Sequence, residues 1–397
     1  MNKNLSQRTD ESLMNDQLTV KKLQFNFKKN REQDQTEALD TCARNFNYEA
    51  CKNQYWNIEE CSLLYATPLW QQATEEQKIL LNQLYWVAYY AQIISAEIAT
   101  IFFNQTASAG LYGIEDFRLV CETLDFESMQ ERAHIDAFKK ISEEVEEKLF
   151  GKRLFTYSMR PYFHETMIYQ DTNKLRLMWK RFQLQSYALL SSSNAFIASQ
   201  YLTVRGLRTL NGKMIQHKLS QFSLDGQELH TQPIPSQVSY HHFLDESFHF
   251  NSSHLIGSEV VKTLKKPTKF EAFVANMGVA GSLKDHSQFN ICVNGIFWYE
   301  PALFQTIYEL LRTPYFNFSH SEALDMMRRC FCEENEAIHR SFSTHQTAKE
   351  SYIQYLHNLS YINPQNLAGG KMQETSIAGY LHKNRLAFDH FSRKKAA

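Results

Sequence analysis

The chain has 397 residues, 43% of them hydrophobic and 13% aromatic, with 42 basic against 43 acidic side chains and a formal net charge of −1. That is enough apolar material for one large core or two modest ones, while near-zero charge with no block of one sign argues against a nucleic-acid binder, whose affinity rests on a basic face. Seven scattered cysteines without a C-x-x-C pair, and a start that lacks the apolar stretch of a signal peptide, predict reduced, buried thiols in a cytoplasmic protein.

Residues 1–45 are polar and poor in aromatics, which predicts a flexible N-terminal arm. Residues 46–73, with Tyr55, Trp56, Leu64 and Trp70, read as an apolar segment lying across a bundle. A helix is predicted from the capping box T-E-E-Q at Thr74 to about Asn104, with Gly110 and Gly113 ending it. Its run from Leu84 to Phe103 carries one charge, Glu97. That run is long enough to mimic a membrane span, but Gln92, Ser95, Glu97 and Thr100 fit better with a helix in the middle of a bundle. A lone carboxylate in such surroundings costs several kcal/mol; a cation, a raised pKa or a metal resolves it.

The second helix is predicted over Cys121 to Leu149 and carries Glu131 and His134 as E-x-x-H. A third is predicted from about Asn173 to Arg205, after a turn at 151–153 and short segments around Pro161. No acid stands between Asp171 and Asp225; small polar residues, Ser191, Ser192, Ser193 and Asn194, interrupt an otherwise apolar stretch. Serines in helices often only bond back to their own carbonyls. Residues 206–237, with three glycines and two prolines, read as a connection into a fourth helix that reaches about Leu264. In it His242, Glu246 and His249 stand at i, i+4 and i+7, on one helical face. Residues 265–397 read as shorter helices forming an extension packed on the core of residues 46–264, within one domain. A further E-x-x-H, Glu336 with His339, has several charged neighbours and reads as surface.

A single E-x-x-H is common by chance. One Glu from a first helix, E-x-x-H from a second and H-x-x-x-E-x-x-H from a fourth is a different matter. Six inward ligands, Glu97, Glu131, His134, His242, Glu246 and His249, are the donor set of a carboxylate-bridged dimetal site in a helical bundle. The predicted fold is therefore all-α, a ferritin-like four-helix bundle with additional N- and C-terminal helices. Asp245, next to Glu246, is the candidate to orient His134 from the neighbouring helix.

These motifs resemble the dimetal-carboxylate oxygenases typified by p-aminobenzoate N-oxygenase, over roughly residues 74–264. The resemblance implies Glu131 and Glu246 as the bridging, catalytic carboxylates. It implies Glu97 and His134 on one iron, with His242 and His249 on the other. That family places a further Glu from the third helix on the second iron, and this sequence has none. The departure makes the chain similar to the cyanobacterial dimetal alkyl halogenases of the cylindrocyclophane pathway type. That similarity implies two iron ions, O2 and a halide, chloride, as cofactors, with the halide in the vacated position beside Ser192, Ser193 and Asn194. It further implies a fatty acyl substrate on an acyl carrier protein, halogenated at an unactivated carbon, an electron donor, and a homodimer as an assembly to test. An N-oxygenase or hydroxylase, a desaturase, and a non-catalytic metal-storage or interaction protein remain the alternatives.

Overall fold

The structure, a computed structural model, describes residues 16–155, 174–221, 228–293 and 300–396, and among these it is all-α. In chain order come α1 (Gln17–Glu32), α2 (Thr36–Asn45), α3 (Tyr48–Cys51), α4 (Pro68–Gln72), α5 (Glu75–Leu111), α6 (Arg118–Phe150), α7 (Lys174–Ser191), α8 (Ala195–Gln221) and α9 (Ile234–His254). A π turn, Leu255–Val260, prolongs α9 into α10 (Val261–Thr263). The remainder is α11 (Lys269–Asp285), α12 (Phe304–Leu311), α13 (His320–Phe331), α14 (Glu336–His357), α15 (Pro364–Leu367) and α16 (Ile377–Ala396).

The ferritin-like core is α5, α6, α8 and α9: α5 packs on α6 and α8, and α9 on α8 and α6. Helix α5 starts at the predicted capping box, where Thr74 Oγ1 accepts from the Gln77 amide at 3.3 Å and Gln77 Oε1 from the Thr74 amide at 3.0 Å. It is long and apolar enough to cross a membrane, yet 56% of its most apolar window is buried inside the protein, as suits the central helix of a bundle. Trp86 fastens it to the start of α9, its Nε1 donating to Pro235 O and Ser239 Oγ, both at 3.0 Å. Gly151, at φ +61°, ends α6 in the left-handed conformation that glycine adopts without strain. At the π turn α9 and α8 touch backbone to backbone: a Cβ on Gly257 would stand 2.9 Å from Thr203 N.

Three expectations change. Residues 17–45 are no loose arm but two helices, α1 packed on α9 and α6, and α2 on the same pair. Their polar composition, which suggested disorder, is used in buried hydrogen bonds: Asn26 Nδ2 donates to Ser252 Oγ at 2.8 Å, and Asn30 Nδ2 to Gln130 Oε1 at 3.0 Å. Residues 1–15 and the Pro161 segment lie outside the described residues. The third helix is two helices, broken after Ser191 because Asn194 caps α8 through Oδ1, which accepts from the Ile197 amide at 3.0 Å. Helix α8 then runs on to Gln221, so Gly206 and Gly212 lie within it rather than in a connection. The C-terminal helices share the core, with Tyr380 and Phe388 of α16 in the same apolar cluster as Trp56 and Trp86. All seven cysteines are buried and unpaired.

Candidate metal centre

Helical spacing puts Glu97, the Glu131–His134 pair and the His242–Glu246–His249 triple on the inner faces of α5, α6 and α9, and packing of the three helices brings all six together. His134, His242 and His249 are fully buried, Glu97 and Glu131 nearly so, and Glu246 is the most open, with its side chain 12% exposed. Two groups of donors form, one of Glu97, His134, His242 and Glu246, the other of Glu131, Glu246 and His249. In the first, His242 Nε2 is 3.2 Å from Glu97 Oε1, and His134 Nδ1 is 3.5 Å from that oxygen. Glu246 Oε1 serves both groups, at 3.7 Å from His242 Nε2 and 3.0 Å from His249 Nδ1. Glu131 spans them too, with Oε2 3.4 Å from His134 Nδ1 and Oε1 3.4 Å from His249 Nδ1.

These separations suit metal ions. Ligand atoms each about 2.1 Å from one ion, at roughly a right angle, stand about 3 Å apart. Both oxygens of Glu97, Glu131 Oε2, His134 Nδ1 and both nitrogens of His242 are buried and make no hydrogen bond, a state proteins rarely tolerate unless an ion or water completes it. Without metal, protons do part of that work. Burial pushes the Glu97 carboxyl well above its usual range. Burial would lower His134 and His249, but Asp245 and Glu131 hold His134 well above the ordinary value, and Glu246 and Glu131 hold His249 up at about 10. Glu131 is pushed up by burial and pulled further down by His249 and His134, ending below the usual carboxylate range. His242, next to the protonated His134, is held well below, first by burial and then by that charge. Metal uptake therefore competes with protons at these residues, and affinity is expected to fall as pH falls.

A hydrogen-bonded shell sets the imidazoles. His134 Nε2 lies 3.1 Å from Asp245 Oδ2, as the spacing of Asp245 and Glu246 suggested, which turns Nδ1 toward the cluster. Asp245 Oδ1 accepts from the Gln35 amide at 3.1 Å and from Gln130 Nε2 at 3.2 Å, and Gln130 Oε1 in turn meets His249 Nε2 at 2.9 Å. One chain of contacts thus links both imidazoles to the loop between α1 and α2. Gln130 and Gln35 carried no recognisable signal in the sequence, since a glutamine beside a ligand is unremarkable until the fold shows what it faces. Replacing Asp245 by Asn, which keeps the volume and removes the charge, is expected to weaken metal binding by about 10- to 100-fold, measured by chelator competition. An unchanged affinity would leave Asp245 a mere space-filler.

The structure arranges two sets of the expected site residues differently. His242 stands with Glu97 and His134, not with His249, because His242 and His249 project from α9 on opposite sides of Glu246 along the helix axis. Ser192, Ser193 and Asn194 are not at the centre. The two serines are exposed and bond back to the Leu189 and Leu190 carbonyls, and Asn194 Nδ2 donates to Glu271 Oε1 at 2.7 Å. Next to them, a Cβ on Gly110 of α5 would run into the Ser191 carbonyl, and Gly110 lies about 20 Å along α5 from Glu97 at 1.5 Å per residue. The third core helix instead offers Arg205. Its Nη1 is 2.7 Å from Glu127 Oε2 and 3.3 Å from Asn104 Oδ1, and its Nη2 is 3.5 Å from Glu131 Oε1. Among the described residues no carboxylate beyond Glu97, Glu131 and Glu246 joins either group. Glu336 and His339 are exposed, pairing with Arg340 and Glu334.

Comparison with curated proteins and with solved structures gives no match. The family model described as "Acyl halogenase CylC-like" matches residues 18–392. That span takes in every residue of the centre and nearly all of the helices around it, and it agrees with the resemblance carried by the motifs. The chain belongs to the CylC-like acyl halogenase family.

Proposed function

We propose that the protein is a di-iron, O2-dependent enzyme that places a halogen, chloride first, on an unactivated carbon of a fatty acyl chain, presented on an acyl carrier protein. The observation that carries this reading is the unequal pair of donor groups: four side chains in one, three in the other, with Glu246 common to both. A three-residue group leaves coordination room for a small anion, where a carboxylate from the third core helix would fill it. Two ferrous ions held here would supply the reduction of O2 and the oxidising power to break a strong C–H bond.

The protein's own part is geometry and exclusion of water. Glu131 and Glu246 present one face to each half of the centre. Asp245 and Gln130 hold the imidazoles of His134 and His249 in fixed orientation. Trp86, Tyr90 and Phe138 close the side next to His242, with Phe138 4.9 Å and Tyr90 5.6 Å from that ring. Atoms and electrons balance when one C–H bond, one chloride, one O2, two electrons and three protons give one C–Cl bond and two waters, so an electron donor is required.

The test is an anaerobic ferrous reconstitution with a carrier-protein-linked fatty acyl substrate, followed by O2, with and without chloride. Mass spectrometry is expected to show one chlorine gained, with product formation dependent on iron, O2 and chloride together. A hydroxylated or desaturated product indifferent to chloride would transfer the protein to the oxygenase or desaturase reading. Iron bound with no substrate oxidised and no O2 consumed beyond oxidation of the metal would make it a storage protein.

A further inference from the structure

We propose that Arg205 is the halide-positioning residue, holding the anion through Nη2 beside the three-residue group of Glu131, Glu246 and His249. This rests on the halogenation reading above and adds the residue that selects the anion. The reasoning starts from α8, the third core helix. It lies in an acid-free stretch and brings a buried cation within reach of Glu127 and Glu131 of α6.

The guanidinium is held from one side only. Nη1 has two acceptors, Glu127 Oε2 at 2.7 Å and Asn104 Oδ1 at 3.3 Å, which occupy both of its N–H groups. Among the described residues Nη2 has one, Glu131 Oε1, and at 3.5 Å that contact is at the limit of a hydrogen bond. Glu131 Oε1 is also the oxygen turned toward His249 Nδ1, at 3.4 Å. It is therefore the atom that a metal in the three-residue group would take. A metal there withdraws negative charge from Oε1 and weakens a contact with Nη2 that is already long at 3.5 Å, so the buried Nη2 gains from a further anionic acceptor. A halide on the same metal gives Nη2 an acceptor and gains from the guanidinium charge in a dry site.

Glu127 does not cancel this. It fixes the guanidinium through Nη1 and offsets part of its charge at the centre, where it also acts on His249, but it leaves Nη2 as a donor toward Glu131. Arginine suits the task because it cannot lose its proton and its donors lie in a rigid plane. A glutamate on α8 would act in the opposite sense, as a tethered anion in the position a dissolved halide needs.

Bromide is the probe, because it scatters strongly and is easily told from water. The protein is loaded anaerobically with ferrous iron and titrated with bromide, the iron–bromine distance shell in X-ray absorption reporting binding and metal analysis reporting iron. Wild type is expected to bind bromide on iron, and Arg205→Gln to keep two irons while losing about 10- to 100-fold in bromide affinity, the scale of one charged hydrogen bond. Arg205→Gln with two irons and wild-type bromide affinity would reduce Arg205 to a counter-ion for Glu127 and overturn the proposal. Wild type with two irons that takes no bromide would instead remove the halogenation reading itself. Should Arg205→Gln fail to fold or load iron, crystals of the wild-type ferrous protein soaked in bromide decide. Anomalous density in hydrogen-bond reach of Nη2 supports the assignment, and bromide bound to the centre away from Arg205 refutes it.

Discussion

If the centre holds the two irons proposed, replacing Glu246 by Ala is expected to lose the iron of the three-residue group and to weaken the other, the largest effect of any single ligand change. Glu246 is the residue common to the two donor groups, and its Oε1 lies within 3.8 Å of a nitrogen of His134, His242 and His249 alike. Without it the four-residue group keeps Glu97, His134 and His242, and the other keeps only Glu131 and His249, too few donors to hold a ferrous ion firmly. By contrast Glu97→Ala removes a ligand from one group alone and is expected to weaken one iron and leave the other unchanged. Removing Glu246 also takes away the carboxylate that pairs with His249 at 3.0 Å, so the metal-free form is expected to lose some stability. Iron per chain, measured beside a thermal melt of the metal-free form, separates loss of the site from loss of the fold. Two irons retained by Glu246→Ala would mean that the centre is not where the six residues meet.

The second large effect concerns the scaffold. Trp86→Ala is expected to cost about 3–5 kcal/mol of stability, the range for truncating a large buried aromatic. The indole is fully buried. Its ring packs 4.4 Å from Tyr90 and edge-on to Trp56 and Phe138, at 6.2 and 6.3 Å between centroids. Its two Nε1 contacts tie α5 to the first turns of α9, about three turns of α5 from Glu97. Trp86→Phe keeps most of the ring and gives up those contacts, but Ser239 Oγ still accepts from Tyr90 and donates to the Pro235 carbonyl, so the expected cost is about 0.5–1.5 kcal/mol. Denaturant unfolding of the metal-free protein measures both. Saturating iron should recover part of the loss, because a ligand that binds only the folded state adds its binding free energy to stability. A Trp86→Ala variant as stable as wild type would mean that α5 and α9 are joined elsewhere.

That the six candidate residues and Asp245 share inner helix faces, where α5 starts and roughly where α6 runs could be read from the residues alone; the end of α5 could not, since the helix continues from Asn104 to Leu111. Each depends on a local rule: capping chemistry sets a helix start, 3.6-residue periodicity sets which side chains share a face, and a lone Glu97 in an apolar run is anomalous wherever the helix lies. The misreadings concern contacts between residues far apart in the chain. The polar residues of α1 looked like disorder until Asn26 and Asn30 met Ser252 and Gln130 across the bundle. The serines at 191–193 looked like the place of the missing carboxylate, but α7 and α8 separate there, and the antiparallel packing of α8 on α5 sets them far down the bundle while bringing Arg205 to the level of Glu131. Likewise the motif H-x-x-x-E-x-x-H names its donors without assigning them to a half of the centre. That division follows from where α5 and α6 cross α9, and so only tertiary packing places His242 with Glu97 and His249 with Glu131. Periodicity determines the face a side chain occupies; the crossing of helices determines what it meets.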